Sequence, residues 1–218
     1  MFGFAPVAEA IEAFFPDILA EAERFCGDKG PRFQELTVEF TPDELAPFTQ
    51  MDADTGVAKK ILLRSAILDE APDKGFEMAC SECAHEVVHC LAPCPPGVPH
   101  PCAGDTTSTV LEEGLATLFQ AKIHDDVLGL SPPFLERYKH EAYANYRHYA
   151  KAAELVKRLL VERPGAIQKL RSNLPKEAET CIGLISYTDL RRELSNLDDD
   201  ALARDLAKPL SELKRDHS

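Results

Sequence analysis

The chain has 218 residues, with 24 lysines and arginines against 37 aspartates and glutamates, for a formal net charge of −13 at pH 7. Its apolar fraction of 44% is enough to bury a core, which excludes a disordered chain, and the charge argues against nucleic acid and anionic membrane as partners. No apolar run reaches the roughly 18–20 residues that a membrane-spanning helix needs, so no membrane partner is expected.

In chain order, the N-terminal stretch carries Glu9, Glu12, Asp17, Glu21 and Glu23 and has no basic start. It reads as an amphipathic helix interrupted at Pro16, not as an export signal. Leu36–Phe40 alternates and Ile61–Leu68 is rich in branched residues, so both are expected as strands. The prolines, acids and Gly56 between them predict a loop with one helical turn at most. A helix is expected from Phe76 to Leu91, where Pro93 stops it.

Residues 92–107 hold five prolines and read as a loop. A helix restarts near Thr109, where Thr109 and Glu112 fit a capping box. A long helical stretch from about Leu135 to Val161 follows, and then two or three helices to the end. Strands that precede a run of helices predict an α+β fold, mostly α, with a small N-terminal sheet and a helical C-terminal half. One domain over 1–218 is expected. Its sheet-bearing part covers about 30–75, its active-site helices about 76–124 and its C-terminal helices about 134–218.

The chemistry sits in His85-Glu86-Val87-Val88-His89, an H-E-x-x-H pattern on the Phe76–Leu91 helix. Histidines four apart lie one turn above each other, so both imidazoles reach the same ion. Glu86 is about 100° round the helix from His85, where its carboxylate can deprotonate a water without binding the metal. A catalytic zinc site needs a third protein ligand and an open position. The metzincin spacing would place a glycine and a histidine where Ala92 and Pro95 stand, which excludes that subclass. His100, Asp105, Glu112 and Glu113 remain as third ligands.

The segment Leu111-Glu112-Glu113-Gly114-Leu115-Ala116-Thr117-Leu118-Phe119 resembles the second signature of the gluzincin metallopeptidases, best known from aminopeptidase N-like enzymes. There a helix carries Asn-Glu-Gly-Phe-Ala-Thr, and its Glu completes the metal site. The resemblance spans only Phe76 to Gln120. It implies a zincin-like core with Zn²⁺ on His85, His89 and Glu113, Glu86 as the water-activating base, and Thr117 as a group behind the ligands. The helical face of Glu113 runs on through Thr117, Gln120 and His124, either as a solvated stripe or as the wall of a cleft. Glu112, by contrast, has the capping box as its local role. The spacing from His89 to Glu113 is longer than in the aminopeptidases, and the segment that holds a free substrate amine in those enzymes is absent, so exopeptidase specificity does not carry over.

An oxyanion donor is expected from the helix that carries Tyr138, Tyr143, Tyr146, His148 and Tyr149, with Tyr146 nominated. As these residues point several ways round an α-helix, most are expected to be packing or surface residues. Cys80, Cys83 and Cys90 share one side of the motif helix and read as buried core, with a second metal or redox site as the rival for these and for Cys94 and Cys102. Seven cysteines without an export signal predict reduced thiols in a cytoplasmic protein. The expectation is a zinc metallopeptidase acting on a peptide or protein substrate, held along an edge strand at Ile61–Leu68. The alternative is an inactive zincin-like module with a structural zinc.

Overall fold

The computed structural model describes residues 7–26, 36–42, 47–52, 57–91, 108–174, 181–195 and 199–215. Helix α1 (Val7–Cys26) buries Val7, Ile11, Phe15, Ile18, Ala22 and Cys26 along a single stripe. It runs straight through Pro16, contrary to the expected break. Pro16 sits on the exposed side, so the cost of its missing hydrogen bond, about 3 kcal/mol, is outweighed by the buried stripe on the opposite side.

Three strands form the sheet: β1 (Thr37–Thr41), β2 (Phe48–Met51) and β3 (Ala58–Arg64), in the order β1-β3-β2. β1 pairs with β3 in parallel and β2 pairs with it antiparallel. Two expectations are corrected here. The acid- and proline-rich stretch contains β2, a four-residue strand concealed among turn residues. β3 is the central strand and not an edge, and the chain turns into a 3₁₀ segment at Ser65–Asp69. Among the described residues, the edges are β1 and β2.

Helix α2 (Pro72–Leu91) lies between α1, the sheet and α3 (Val110–Lys122). That position explains why Cys80, Cys83, Ala84, Val87, Val88 and Cys90 are all fully buried. α3 continues into a π-helical turn at Ile123–Val127. The expected long helix is divided into α4 (Phe134–Arg137), a 3₁₀ segment at Glu141–Tyr146 and α5 (Arg147–Glu162). The short helices α6 (Ala166–Ser172), α7 (Tyr187–Glu193), α8 (Asp200–Ala207) and α9 (Leu210–Arg215) follow. The fold is thus α+β and mostly α. One buried cluster takes in residues from Val7 through Leu213. Among the described residues, no helix is long and apolar enough to cross a membrane.

α3 crosses α5 at Gly114. A Cβ there would come within 2.5 Å of the Ala152 carbonyl oxygen and 2.7 Å of Val156 Cγ2. The start of α3 is also pinned from the far end of the chain: Val110 N donates to Lys208 O (2.9 Å) and Leu210 N to Ser108 O (2.9 Å). These contacts set the height of the first turn of α3 beside α2.

Candidate functional site

α2 presents His85 and His89 on one face, and the first turn of α3 presents Glu112 and Glu113 opposite them. Thr109 caps α3 by accepting from Glu112 N at 3.2 Å. His85 Nε2 lies 3.1 Å from Glu113 Oε2, and His89 Nε2 lies 3.7 Å from Glu113 Oε1. His85, His89 and Glu113 each offer one ligand atom, all within 4.8 Å of one another. Their side chains are 17%, 15% and 9% exposed, so the cluster is set into the protein while still reaching its surface.

Glu112 differs from its expected role. Its carboxylate Oε1 stands 3.2 Å from His89 Nδ1, and the residue is 1% exposed. The hydroxyl half of the capping box is present, but this carboxylate turns inward to the ring nitrogen that faces away from Glu113. Such a contact fixes the tautomer and orientation of a ligand histidine and raises its basicity. The sequence offered a signal for it: two consecutive glutamates on a first turn reach different sides of one facing helix.

Glu86 is 6% exposed, and the Thr49 hydroxyl of β2 donates to it, 3.1 Å from Oε2 and 3.0 Å from the backbone oxygen. Sequence reasoning misses Thr49 because it misses β2. Burial works against ionisation of both His89 and Glu113, yet each is held charged by the other and its neighbours. Glu113, Glu112 and Glu86 raise His89 to about 10, and His89 and His85 lower Glu113 to about 2. A buried group of three carboxylates facing two imidazoles is short of positive charge. Two imidazoles and a carboxylate are also a donor set that Zn²⁺ accepts. The residues present fit a zinc ion.

Compared with protein-family models, curated proteins and solved structures, the chain matches none.

Of the other residues singled out in the sequence, Thr117 is fully buried, and its hydroxyl has no hydrogen-bond partner among the described residues. Gln120 donates to Ser81 at 2.9 Å, and His124 is 1% exposed with Nδ1 2.7 Å from Asp125 Oδ1. The Glu113 face is thus not a solvated stripe: Gln120 bonds across to α2, and Thr117 and Gln120 lie on the wall of a cleft, the second of the two expectations. Among the tyrosines of this region, Tyr149 is the one beside the site, with its ring 6.2 Å from His85. Tyr146 stands one ring further out, 6.3 Å from Tyr149, and is 50% exposed.

Cys26, Cys80, Cys83 and Cys90 are free and buried, and burial raises all four thiols, Cys26 and Cys80 to about 12. They are core side chains, as expected for those on α2. Cys181 is disulfide-bonded, which departs from the expectation of seven reduced thiols. His100, Asp105, Cys94 and Cys102 lie outside the described residues.

Proposed function

We propose that this protein is a zinc-dependent metallopeptidase with a zincin-like site, acting on a peptide or protein substrate. The observation that carries this reading is the convergence of His85 and His89 from α2 with Glu113 from α3, and with Glu86 beside them. His85, His89 and Glu113 would hold Zn²⁺, which when bound would supply a Lewis acid for the carbonyl and lower the pKa of water to about 7.

Glu86 takes the proton of the attacking water and hands it to the departing amine. Thr49 steadies its carboxylate for both steps. Glu112 keeps the His89 ring in register through Nδ1. Burial, together with the nearby Glu113, pushes the Tyr149 phenol up, so it stays protonated and can donate to the oxyanion that develops. In this arrangement Tyr149 takes the role for which Tyr146 was nominated. The antiparallel edge strand β2, which contacts α2 through Thr49, replaces Ile61–Leu68 as the strand alongside which an extended peptide lies.

The deciding experiment measures zinc content and cleavage of a mixed peptide library for wild type, Glu113→Gln and Glu86→Gln. Expected are about one zinc per chain and cleavage in wild type, loss of both in Glu113→Gln, and zinc without cleavage in Glu86→Gln. Zinc-bound wild type that cleaves nothing would leave the structural-zinc alternative. A wild type that takes up no zinc would end both readings. The buried free thiols fit the cytoplasmic setting expected from the sequence, whereas the disulfide at Cys181 fits an oxidising one. Thiol titration of the freshly isolated, denatured protein separates them: all seven cysteines react in the first case and two fewer in the second.

A further inference from the structure

A cavity of about 510 Å³ opens beside His85 and Glu86. Such a volume is in the range of pockets that take small molecules or peptide side chains. Its outer wall is made of four tyrosines. Tyr138 follows α4, Tyr143 and Tyr146 stand on the 3₁₀ segment, and Tyr149 is in the first turn of α5. Their rings succeed one another from the metal side outward. His85 to Tyr149 is 6.2 Å, Tyr149 to Tyr146 6.3 Å, Tyr146 to Tyr138 6.5 Å and Tyr138 to Tyr143 6.1 Å between centroids. The last pair is nearly perpendicular, at 88°.

The 3₁₀ segment bends at Tyr143 (φ −110°, ψ 17°), so no single continuous helix sets these rings; Tyr138, whose ring neighbours those of both Tyr143 and Tyr146, joins them into one wall. Tyr143 and Tyr146 are 42% and 50% exposed, a large apolar area for solvent-facing aromatics. The inner wall supplies Thr117, whose fully buried hydroxyl has no partner among the described residues.

The charges of the lining narrow the ligand. Arg64 Nε donates to Glu82 Oε1 at 2.6 Å, and its Nη2 pairs with the same oxygen. Glu86 is engaged by Thr49. The guanidinium is therefore already committed, which leaves an acidic side chain without a counter-charge. Glu82 is committed likewise, so the carboxylate left for a basic side chain is Glu86, which the hydrolysis step itself requires. Most of the remaining wall is the ring surface of His85 and the four tyrosines, with Pro47, Thr117 and Gln120 beside it, and such rings favour aromatic partners in edge-to-face and offset arrangements.

We propose that this four-tyrosine cavity is the specificity pocket, receiving an aromatic side chain of the peptide next to the bond that is hydrolysed. The proposal rests on the metallopeptidase reading for the hydrolysis step, but the pocket can be tested without turnover.

The chain contains no tryptophan, so a tryptophan in a ligand reports its own burial. The probe is acetyl-Ala-Ala-Trp-Ala-Ala-amide, titrated into zinc-loaded Glu86→Gln protein and displaced by the same peptide with Phe, Ala, Lys or Glu at the centre. The Phe peptide should compete about tenfold more tightly than the Ala peptide, and the Lys and Glu peptides no better than Ala. The double variant Tyr143→Ala, Tyr146→Ala, in the same background, should lose most of that preference; both positions are solvent-facing, so circular dichroism should be unchanged. In otherwise wild-type enzyme the same pair should raise KM for aromatic peptides and leave kcat near its original value.

Equal competition by all four peptides, or an aromatic preference that survives loss of both tyrosines, overturns the proposal. Aromatic preference in binding with no cleavage by wild type would keep the pocket and remove the peptidase. Cleavage without aromatic preference would do the reverse.

Discussion

At the scale of single residues, the two adjacent glutamates of α3 divide the work between them. Glu113 faces the Nε2 atoms of both histidines, and Glu112 faces Nδ1 of His89. Removing a partner of that second kind typically weakens metal binding by about 10–100-fold. Glu112→Gln is therefore expected to bind zinc more weakly by that factor, measured against a competing chelator, while Glu113→Gln loses it altogether. If Glu112 acted only as a cap, its variant would lower the melting temperature and leave zinc affinity alone. The cysteines of α2 give a second expectation. Burial holds Cys80, Cys83 and Cys90 above the ordinary thiol range, so they stay protonated at neutral pH and react slowly with iodoacetamide until the protein unfolds. Fast labelling of the native protein at Cys80 or Cys83 would revive the redox account of that pair.

At the scale of elements, the sequence motif and the helix crossing turn out to be one fact. Gly114, one of the residues that carry the gluzincin resemblance, is where α3 passes against the backbone of α5. A methyl group there meets a carbonyl that cannot swing aside, so Gly114→Ala should destabilise by about 1–3 kcal/mol in urea denaturation, and more if α3 has to shift. Pro16 predicts the opposite sign. It lies on the exposed side in the middle of α1, where it denies the Glu12 carbonyl its partner. Pro16→Ala should stabilise by about 2 kcal/mol, the roughly 3 kcal/mol helix penalty less the unfolded-state entropy that proline removes. Apolar spacing made α1, α2 and α3 legible in advance. β2 was not legible, because a four-residue strand amid turn residues owes its existence to pairing with β3, which local composition does not record. The division of residues 134–162 into three pieces was hidden because periods of 3.0 and 3.6 are hard to tell apart over six residues.

At the scale of the whole molecule, distant segments hold the site in place. Arg171 of α6 is 5% exposed and donates to Cys26 O at 3.2 Å and Leu91 O at 3.3 Å, the last residues of α1 and α2. A guanidinium at two helix C-termini satisfies buried carbonyls and meets two negative dipole ends. Arg171→Met should therefore destabilise by about 3 kcal/mol, read from the thermal or urea transition. With α2 fixed only two residues beyond His89, the variant should also bind zinc less tightly than its loss of stability at the working temperature accounts for. By itself, the sequence determined that helices dominate, that α2 carries two histidines on one face, and that Glu86 stands beside them, because helical periodicity places residues three and four apart without reference to anything else. Only the tertiary structure decided which glutamate faces which nitrogen, that Thr49 holds Glu86, and that four tyrosines share one cavity. Each of those contacts joins elements far apart in the chain, and their relative height and rotation come from packing at places such as Gly114 and Arg171, which no local pattern encodes.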